Sequence, residues 1–274
     1  MKKGSIKKYL LCILGIILSI IWISPFYLVL VNSFKTKKEL FTSTLGFPKK
    51  MLFSNYKQAA SDLKLGESFV NSVLICIISI SIIIIFSSMA AYALQRVKRK
   101  SSTIIFLGFI AAMLIPFQSV MIPLVAEFGK IKMLNSAGIV FMYLGFGCSL
   151  AIFLYHGALK GIPSSLDEAA LIDGCDRFRT FWLIIFPMLK PATVTVIVLD
   201  MMWIWNDYLL PSLVINKEGM RTLPLMIFYF FGQYTRQWNL AMAGLTIAIL
   251  PVLIFYFLAQ KQIVKGIVSG AVKQ

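Results

Sequence analysis

The chain has 274 residues, of which 59% are apolar and only 14% carry a charge. A soluble domain is roughly 45–50% apolar and about 25% charged, so this composition cannot clothe a water-facing surface and places the chain in a membrane. The net charge of +16 would suggest nucleic acid on a soluble chain, but the lysines fall in separate loops between apolar runs, where they set topology and meet acidic headgroups.

The N-terminus opens with Lys2, Lys3, Lys7 and Lys8 and then runs apolar without a small-residue cleavage site, which predicts a retained first helix rather than a signal peptide. A helix crossing about 30 Å of hydrocarbon needs roughly 20 apolar residues. Six runs of that kind follow in order: Tyr9 to Val31, Ser72 to Leu94, Thr103 to Ala126, Gly138 to Leu159, Leu183 to Tyr208 and Trp238 to Ala259. The expected fold class is therefore all-α, a polytopic membrane protein with six transmembrane helices. One transmembrane domain over residues 1–274 is expected, with core spans in 71–260, a loop at 160–187 and a tail at 260–274.

With both termini on the cytoplasmic side, the inner segments carry 15 Lys and Arg and the outer ones 12. The first outer loop opposes this orientation with Lys35, Lys37, Lys38, Lys49, Lys50, Lys57 and Lys64. The short connection holding Arg96, Lys98, Arg99 and Lys100 decides for an inner N-terminus, because short dense clusters orient best. Pro116 and Pro123 break the third run, Pro187 and Pro191 the start of the fifth, and Pro251 the sixth. Such breaks serve either packing kinks or a water-filled path. An apolar run from Leu223 to Phe231, nine residues long, is too short to span and is expected at the interface.

Between the fourth and fifth runs lies Gly161-Ile162-Pro163-Ser164-Ser165-Leu166-Asp167-Glu168-Ala169-Ala170-Leu171-Ile172-Asp173-Gly174. Ser165 and Glu168 have capping-box spacing, and Gly174 supplies a left-handed stop. A second helix is expected to start near Asp176 and run through Phe178, Phe181 and Trp182 into the membrane. Ala169 and Ala170 are expected on the exposed surface, where small side chains let another backbone approach, flanked by carboxylates at Glu168 and Asp173. Read from physics alone, this is either a docking knob or a capped helix that merely links two spans.

The run Glu168-Ala169-Ala170, three residues, Gly174, nine residues, Ile184-Ile185-Phe186-Pro187 resembles the EAA signature of the membrane subunits of bacterial ABC importers. Phe186 stands where that signature has leucine. The resemblance covers nearly the whole chain and narrows to the carbohydrate-uptake, maltose-type permeases. It is carried further by Ser33-Phe34-Lys35, Phe69-Val70-Asn71-Ser72, Ala91-Tyr92-Ala93-Leu94, Ile115-Pro116-Phe117-Gln118 with Ile122-Pro123, Ile172-Asp173-Gly174, Trp205-Asn206-Asp207, Thr222-Leu223-Pro224 and the tail from Gly266 to Lys273. It implies that Glu168, Ala169, Ala170, Asp173 and Gly174 form a cytoplasmic coupling helix seated in an ATPase subunit. It also implies a bacterial cell membrane, a second related permease subunit, two copies of a cytoplasmic ATPase and an extracellular solute-binding protein that delivers a sugar. The outer segment from Ser212 to Gln237 matches the loop that touches the binding protein, with Phe228, Tyr229, Phe230, Phe231 and Tyr234 as its aromatics. The tail lysines Lys261, Lys265 and Lys273 are either a second ATPase contact or a solvated end.

No stretch reads Gly, four residues, Gly-Lys-Ser/Thr, and there is no GxGxxG run, so the expectation is a transport subunit that is not an enzyme and takes its energy from a partner. One histidine, His156, and four scattered cysteines leave no disulfide framework, metal cluster or Ser/His/Asp triad, and no cofactor is expected.

Sugars are read by hydrogen bonds to hydroxyls and by aromatic faces. Asp200, Trp203, Asn206 and Asp207 on the fifth run, with Gln118 on the broken third, combine those groups and are the expected substrate-pathway residues. Opposed to this stand a buried interhelical hydrogen bond for Asp200 and an interfacial belt for Trp203 and Trp205. Two further functions remain open: an ion-coupled secondary transporter using Asp200, and a membrane scaffold that transports nothing.

Overall fold

A computed structural model describes residues 3–215, 217–229 and 237–271, and among them every regular element is helical. Among the described residues four helices are long and apolar enough to cross a membrane, Lys8–Ser33, Leu65–Arg96, Ser136–Leu159 and Trp238–Phe257, and the number reaches six if each of two bent pairs forms one span. The bent pairs coincide with the third and fifth apolar runs of the sequence.

The third run is not a straight helix. α5 (Lys100–Met113) and α6 (Phe117–Lys130) meet at 102°. Pro116 lacks an amide and pushes Ile115 out of the α region, so the first helix must stop before it and the next restart after it. The fifth run bends by 75° at Leu189. Before the bend lie α9 (Arg177–Arg179), a π-helical stretch Thr180–Ile185 and α10 (Phe186–Met188). After it comes α11 (Lys190–Asn206), with Pro191 in its first turn, where a missing amide costs nothing.

The chain folds as two compact units. Unit 1 comprises Met1–Leu65 and Met226–Pro251. It holds the first helix, α1 (Lys3–Ser33), and the short helices α2 (Lys37–Thr42) and α3 (Ser54–Asp62). The most apolar 18-residue stretch of α1 has no buried residue. Its C-terminal end is tied down by polar groups. Asn55 Nδ2 donates to the carbonyls of Ser33 and Lys35 at 2.8 and 2.9 Å, and Ser33 Oγ bonds Tyr56 at 2.6 Å. Lys35, expected among seven outward lysines, is wholly buried. Its Nζ donates to Asn32 Oδ1 at 2.9 Å and to the Ser43 and Thr44 carbonyls at 2.7 and 3.2 Å, closing the loop on itself. Burial pulls this ammonium below the ordinary lysine range while the Glu39 carboxylate pulls it back up.

Unit 2 comprises Gly66–Leu225 and Val252–Gln274. Its centre is α7 (Ser136–Leu159), whose buried residues lie on most of its circumference and which packs on α5 and α11. A helix apolar on nearly all sides has no moment to orient it, so packing decides its neighbours. Two glycines allow the closest approaches. A Cβ at Gly147 would stand 2.6 Å from Ile83 Cδ1 of α4 (Leu65–Arg96). A Cβ at Gly138 would land on the Met133 carbonyl oxygen, inside the turn where Asn135 caps α7 by accepting from the amides of Ala137 and Gly138 at 3.0 Å each.

The weak sequence signatures in this unit find one another. Asn71 Nδ2 donates to the carbonyls of Gly219 and Arg221 at 2.7 and 3.2 Å, and Ser72 Oγ accepts from the Leu223 amide at 2.8 Å. Phe69-Val70-Asn71-Ser72 thus holds Thr222-Leu223-Pro224 in place and starts α13 (Leu223–Tyr229). The short helix α12 (Leu209–Val214) is capped by Asp207, whose Oδ1 accepts from the amides of Leu209 and Leu210 at 2.9 and 3.3 Å. The last described element is α14 (Trp238–Ala271).

Candidate functional site

The polar loop between the fourth and fifth runs forms α8 (Ser165–Ile172). The expected capping box is not made: the N-cap is Ser164, one residue earlier than expected, with no side-chain cap, and the Glu168 amide instead bonds the Ser164 carbonyl at 3.2 Å. Ser165 already lies within the helix, so its hydroxyl cannot serve as the cap. The C-terminal stop is as expected. Gly174 sits at φ +83°, and the Cys175 amide reaches the Ala170 carbonyl at 2.9 Å, a six-residue closure that needs a left-handed residue. The next helix starts with Asp176, whose Oδ1 accepts from the Arg179 amide at 2.8 Å.

The two alanines do not share a surface. Ala169 is exposed with Glu168, Asp173 and Gly174, whereas Ala170 is only 3% exposed and faces inward. Consecutive residues lie about 100° apart around a helix, and α8 packs on the π-helical stretch by its Ala170 side. The outward face carries an apolar residue that sequence reasoning missed, Ile172, 86% exposed, with Leu171 at 50%.

Sequence reasoning also missed what pins α8. Arg96, at the end of α4, sets Nη2 at 2.8 Å from Asp167 Oδ2 and donates from Nη1 to the Ile162 carbonyl at 3.1 Å. The Tyr92 hydroxyl donates to the other Asp167 oxygen, and the Arg96 guanidinium lies 5.8 Å from the Tyr92 ring centre. Tyr92 and Arg96 are four residues apart and share one face of α4. On its far side the Tyr92 ring packs on Phe181 at 5.1 Å, so the helix on each side of Gly174 is tied to the same turn of α4. The arginine four residues after a tyrosine, at the end of an apolar run, was the available signal. Its partner could not be read from sequence.

The expected pathway residues are scattered. Gln118 and Asn206 are exposed, the latter with Nδ2 on the Met202 carbonyl at 2.7 Å. Trp203 is 40% exposed and meets Tyr143 edge-on at 5.3 Å, whereas Trp205 is buried against Phe69 at 5.9 Å. Asp207 accepts from the Tyr143 hydroxyl at 3.0 Å besides capping α12. Asp200 is 3% exposed and lies beside Gly147, and its Oδ2 accepts no hydrogen bond from a described residue. His156 stacks on Phe106 with ring centres 3.8 Å apart. Among the described residues no group of three His, Cys, Asp or Glu could hold a metal. Phe230, Phe231 and Tyr234, and the end of the tail with Lys273, lie outside the described residues, as do the side chains of Tyr229, Lys261 and Lys265.

Residues 83–269, which include α8 and its anchors Tyr92 and Arg96, match the family described as binding-protein-dependent transport system inner membrane component. Over 274 residues the chain is 71% identical to the probable starch degradation products transport system permease protein AmyC of Thermoanaerobacterium thermosulfurigenes, covering all of both chains. It is 37% identical over 270 residues to the multiple sugar-binding transport system permease protein MsmG of Streptococcus mutans, covering 97% of this chain and 96% of that one. The fold is that of a bacterial ABC transporter involved in the import of the acidic polysaccharide alginate, with a TM-score of 0.79 at 22% identity over 95% of this chain and 98% of the other. Nothing among these relatives supports an ion-coupled carrier built on Asp200. With matched family residues over most of its length and close relatives aligned end to end, the chain belongs to the inner membrane permease components of binding-protein-dependent transport systems.

Proposed function

We propose that the chain forms half of the translocation pathway of an ATP-driven importer of di- or oligosaccharides and couples to its ATPase through α8. The substrate class is supported by the relatives, whose names give starch degradation products, multiple sugars and, at 35% identity over 251 residues, melibiose, raffinose and stachyose. The other half is a second, related permease subunit. Two cytoplasmic ATPases supply the energy and an extracellular solute-binding protein delivers the sugar, with both termini of this chain in the cytoplasm.

The observation that carries the coupling role is a short helix outside the spans, presenting Glu168, Ala169 and Ile172 outward while Asp167 is gripped from α4. A partner that closes on this face pushes α8, and the Arg96 and Tyr92 contacts pass the displacement directly to a spanning helix. Rocking of the spans around a central site then alternates access between the two sides. Gln118, Trp203 and Asn206, exposed on this chain, supply hydrogen bonds and an aromatic face to the sugar. Asp200 and Asp207 act from behind that surface. ATP hydrolysis by the reconstituted complex, stimulated by binding protein loaded with starch-derived oligosaccharide, tests the coupling when wild type is compared with Glu168→Lys at matched assembly. Loss of stimulated turnover with intact spans is expected; unchanged, fully coupled turnover would leave Glu168 as a surface residue of a connecting helix.

A further inference from the structure

Between the end of α4, the start of α5 and the end of α7 lies a cavity of about 580 Å³. Lys98, Arg99, Lys100 and Lys160 line it together with His156 and the apolar Phe106. No carboxylate is among its lining residues, and none of the four cations forms an ion pair among the described residues. Two residues away, Arg96 does find Asp167. The cations also crowd the positive end of a helix: α5 starts at Lys100, has no acidic residue in its first turn and no side-chain cap at Arg99. Helix N-termini favour anions, and like charges gathered there repel one another. Four cations and a helix N-terminus around one cavity therefore leave a positive field that no carboxylate among the described residues answers.

We infer that this cavity binds a phosphodiester anion, the headgroup of an anionic phospholipid. A free phosphate would answer the charge equally well, but the cavity lining is mixed, apolar as well as cationic. Leu94, Phe106 and the exposed Leu107 stand on the same lining as the cations. An amphiphile satisfies both ends, with phosphate on the cations and glycerol and acyl carbons along the apolar side. Ser102 and Thr103 in the first turn of α5 offer hydroxyl donors to the phosphate oxygens. The site lies at the α8 end of α4, so its placement in the cytoplasmic leaflet rests on the coupling role proposed for α8; the lipid preference itself does not.

The test uses the assembled importer, purified with its partner subunits and equilibrated in mixed vesicles of phosphatidylglycerol and phosphatidylcholine. Native mass spectrometry then counts the lipids retained. Wild type should keep phosphatidylglycerol in preference to phosphatidylcholine. Each cation neutralised, in the series Lys98→Gln, Lys100→Gln and Lys160→Gln, should lower that preference about fivefold. Arg221→Gln, outside the cavity, should leave it unchanged and controls for net charge. Inorganic phosphate at millimolar concentration should fail to displace the lipid. Equal retention of the two lipids by wild type, an equal loss with Arg221→Gln, or displacement by inorganic phosphate would each overturn the assignment. Because lipid retention is read without ATP, failure of the Glu168→Lys test leaves this result standing, and the reverse also holds.

Discussion

The contact between Arg96 and Asp167 gives the coupling scheme its sharpest test. The two charged atoms are 2.8 Å apart and their side chains are only 18% and 14% exposed. At an effective dielectric of about 20 the gross attraction is about 6 kcal/mol, most of it offset by desolvation of both groups. What remains is a close, half-buried ion pair beside the hydrogen bond that Tyr92 donates to the other carboxylate oxygen, and losing one partner should cost about 2–3 kcal/mol. For a chain of this size that corresponds to a fall in Tm of about 5–10 °C. Asp167→Asn keeps shape and hydrogen-bonding capacity, Arg96→Gln removes the opposite charge, and the double variant closes a thermodynamic cycle. Thermal unfolding of the purified complex should give a coupling term of about 1–2 kcal/mol between the two sites. Sugar-stimulated ATP hydrolysis should fall in each single variant, because α8 is freed from α4, while basal hydrolysis persists. Strict additivity of the two substitutions, or single-variant costs below about 0.5 kcal/mol, would show that the pair is incidental and that α8 is held by packing alone.

Three further outcomes follow from the packing. Gly138→Ala should cost about 3 kcal/mol, since its Cβ meets the Met133 backbone oxygen; Gly147→Ala meets only the end of Ile83 and should be largely restored by Ile83→Val. Thermal unfolding of the four proteins reads both, and equal costs for the two glycines would contradict the geometry. Ser72→Ala strips a buried amide of its acceptor, so unfolding should become easier by about 1–3 kcal/mol and limited proteolysis should cut near Leu223; an unchanged cleavage pattern would mean that Ser72 does not hold this segment. Ile172→Asp, at an 86% exposed position, should leave Tm within about 1 °C of wild type while reducing ATPase copurification, a split between stability and assembly that a buried residue could not produce. A parallel loss of both would return Ile172 to the fold.

Much of the loop between the fourth and fifth runs was legible because its signals are local. Gly174 ends a helix for a reason confined to its own φ, and Asp176 caps the next within three residues. The capping box failed for a reason equally local: a start one residue earlier moves Ser165 inside the helix and makes its hydroxyl useless as a cap. The exposure of Ala169 and burial of Ala170 could not be read, because which side of an eight-residue helix faces in depends on what it packs against. The same holds for Lys35. Its position in a lysine-rich loop was plain, but its burial required the carbonyls of Ser43 and Thr44 to return to it.

By itself the sequence determined that the chain is helical and spans a membrane, since apolar runs of sufficient length leave no other way to satisfy backbone groups in hydrocarbon. It also determined that Pro116 and the Pro187–Pro191 region would interrupt those runs. Only the tertiary structure decided that the third run turns through 102° rather than kinking slightly, that Arg96 and Tyr92 grip Asp167, and that Asn71 and Ser72 hold the segment 150 residues further on. Periodicity and capping act over one or two helical turns, whereas ion pairs and close packing join residues whose separation along the chain carries no record of their separation in space.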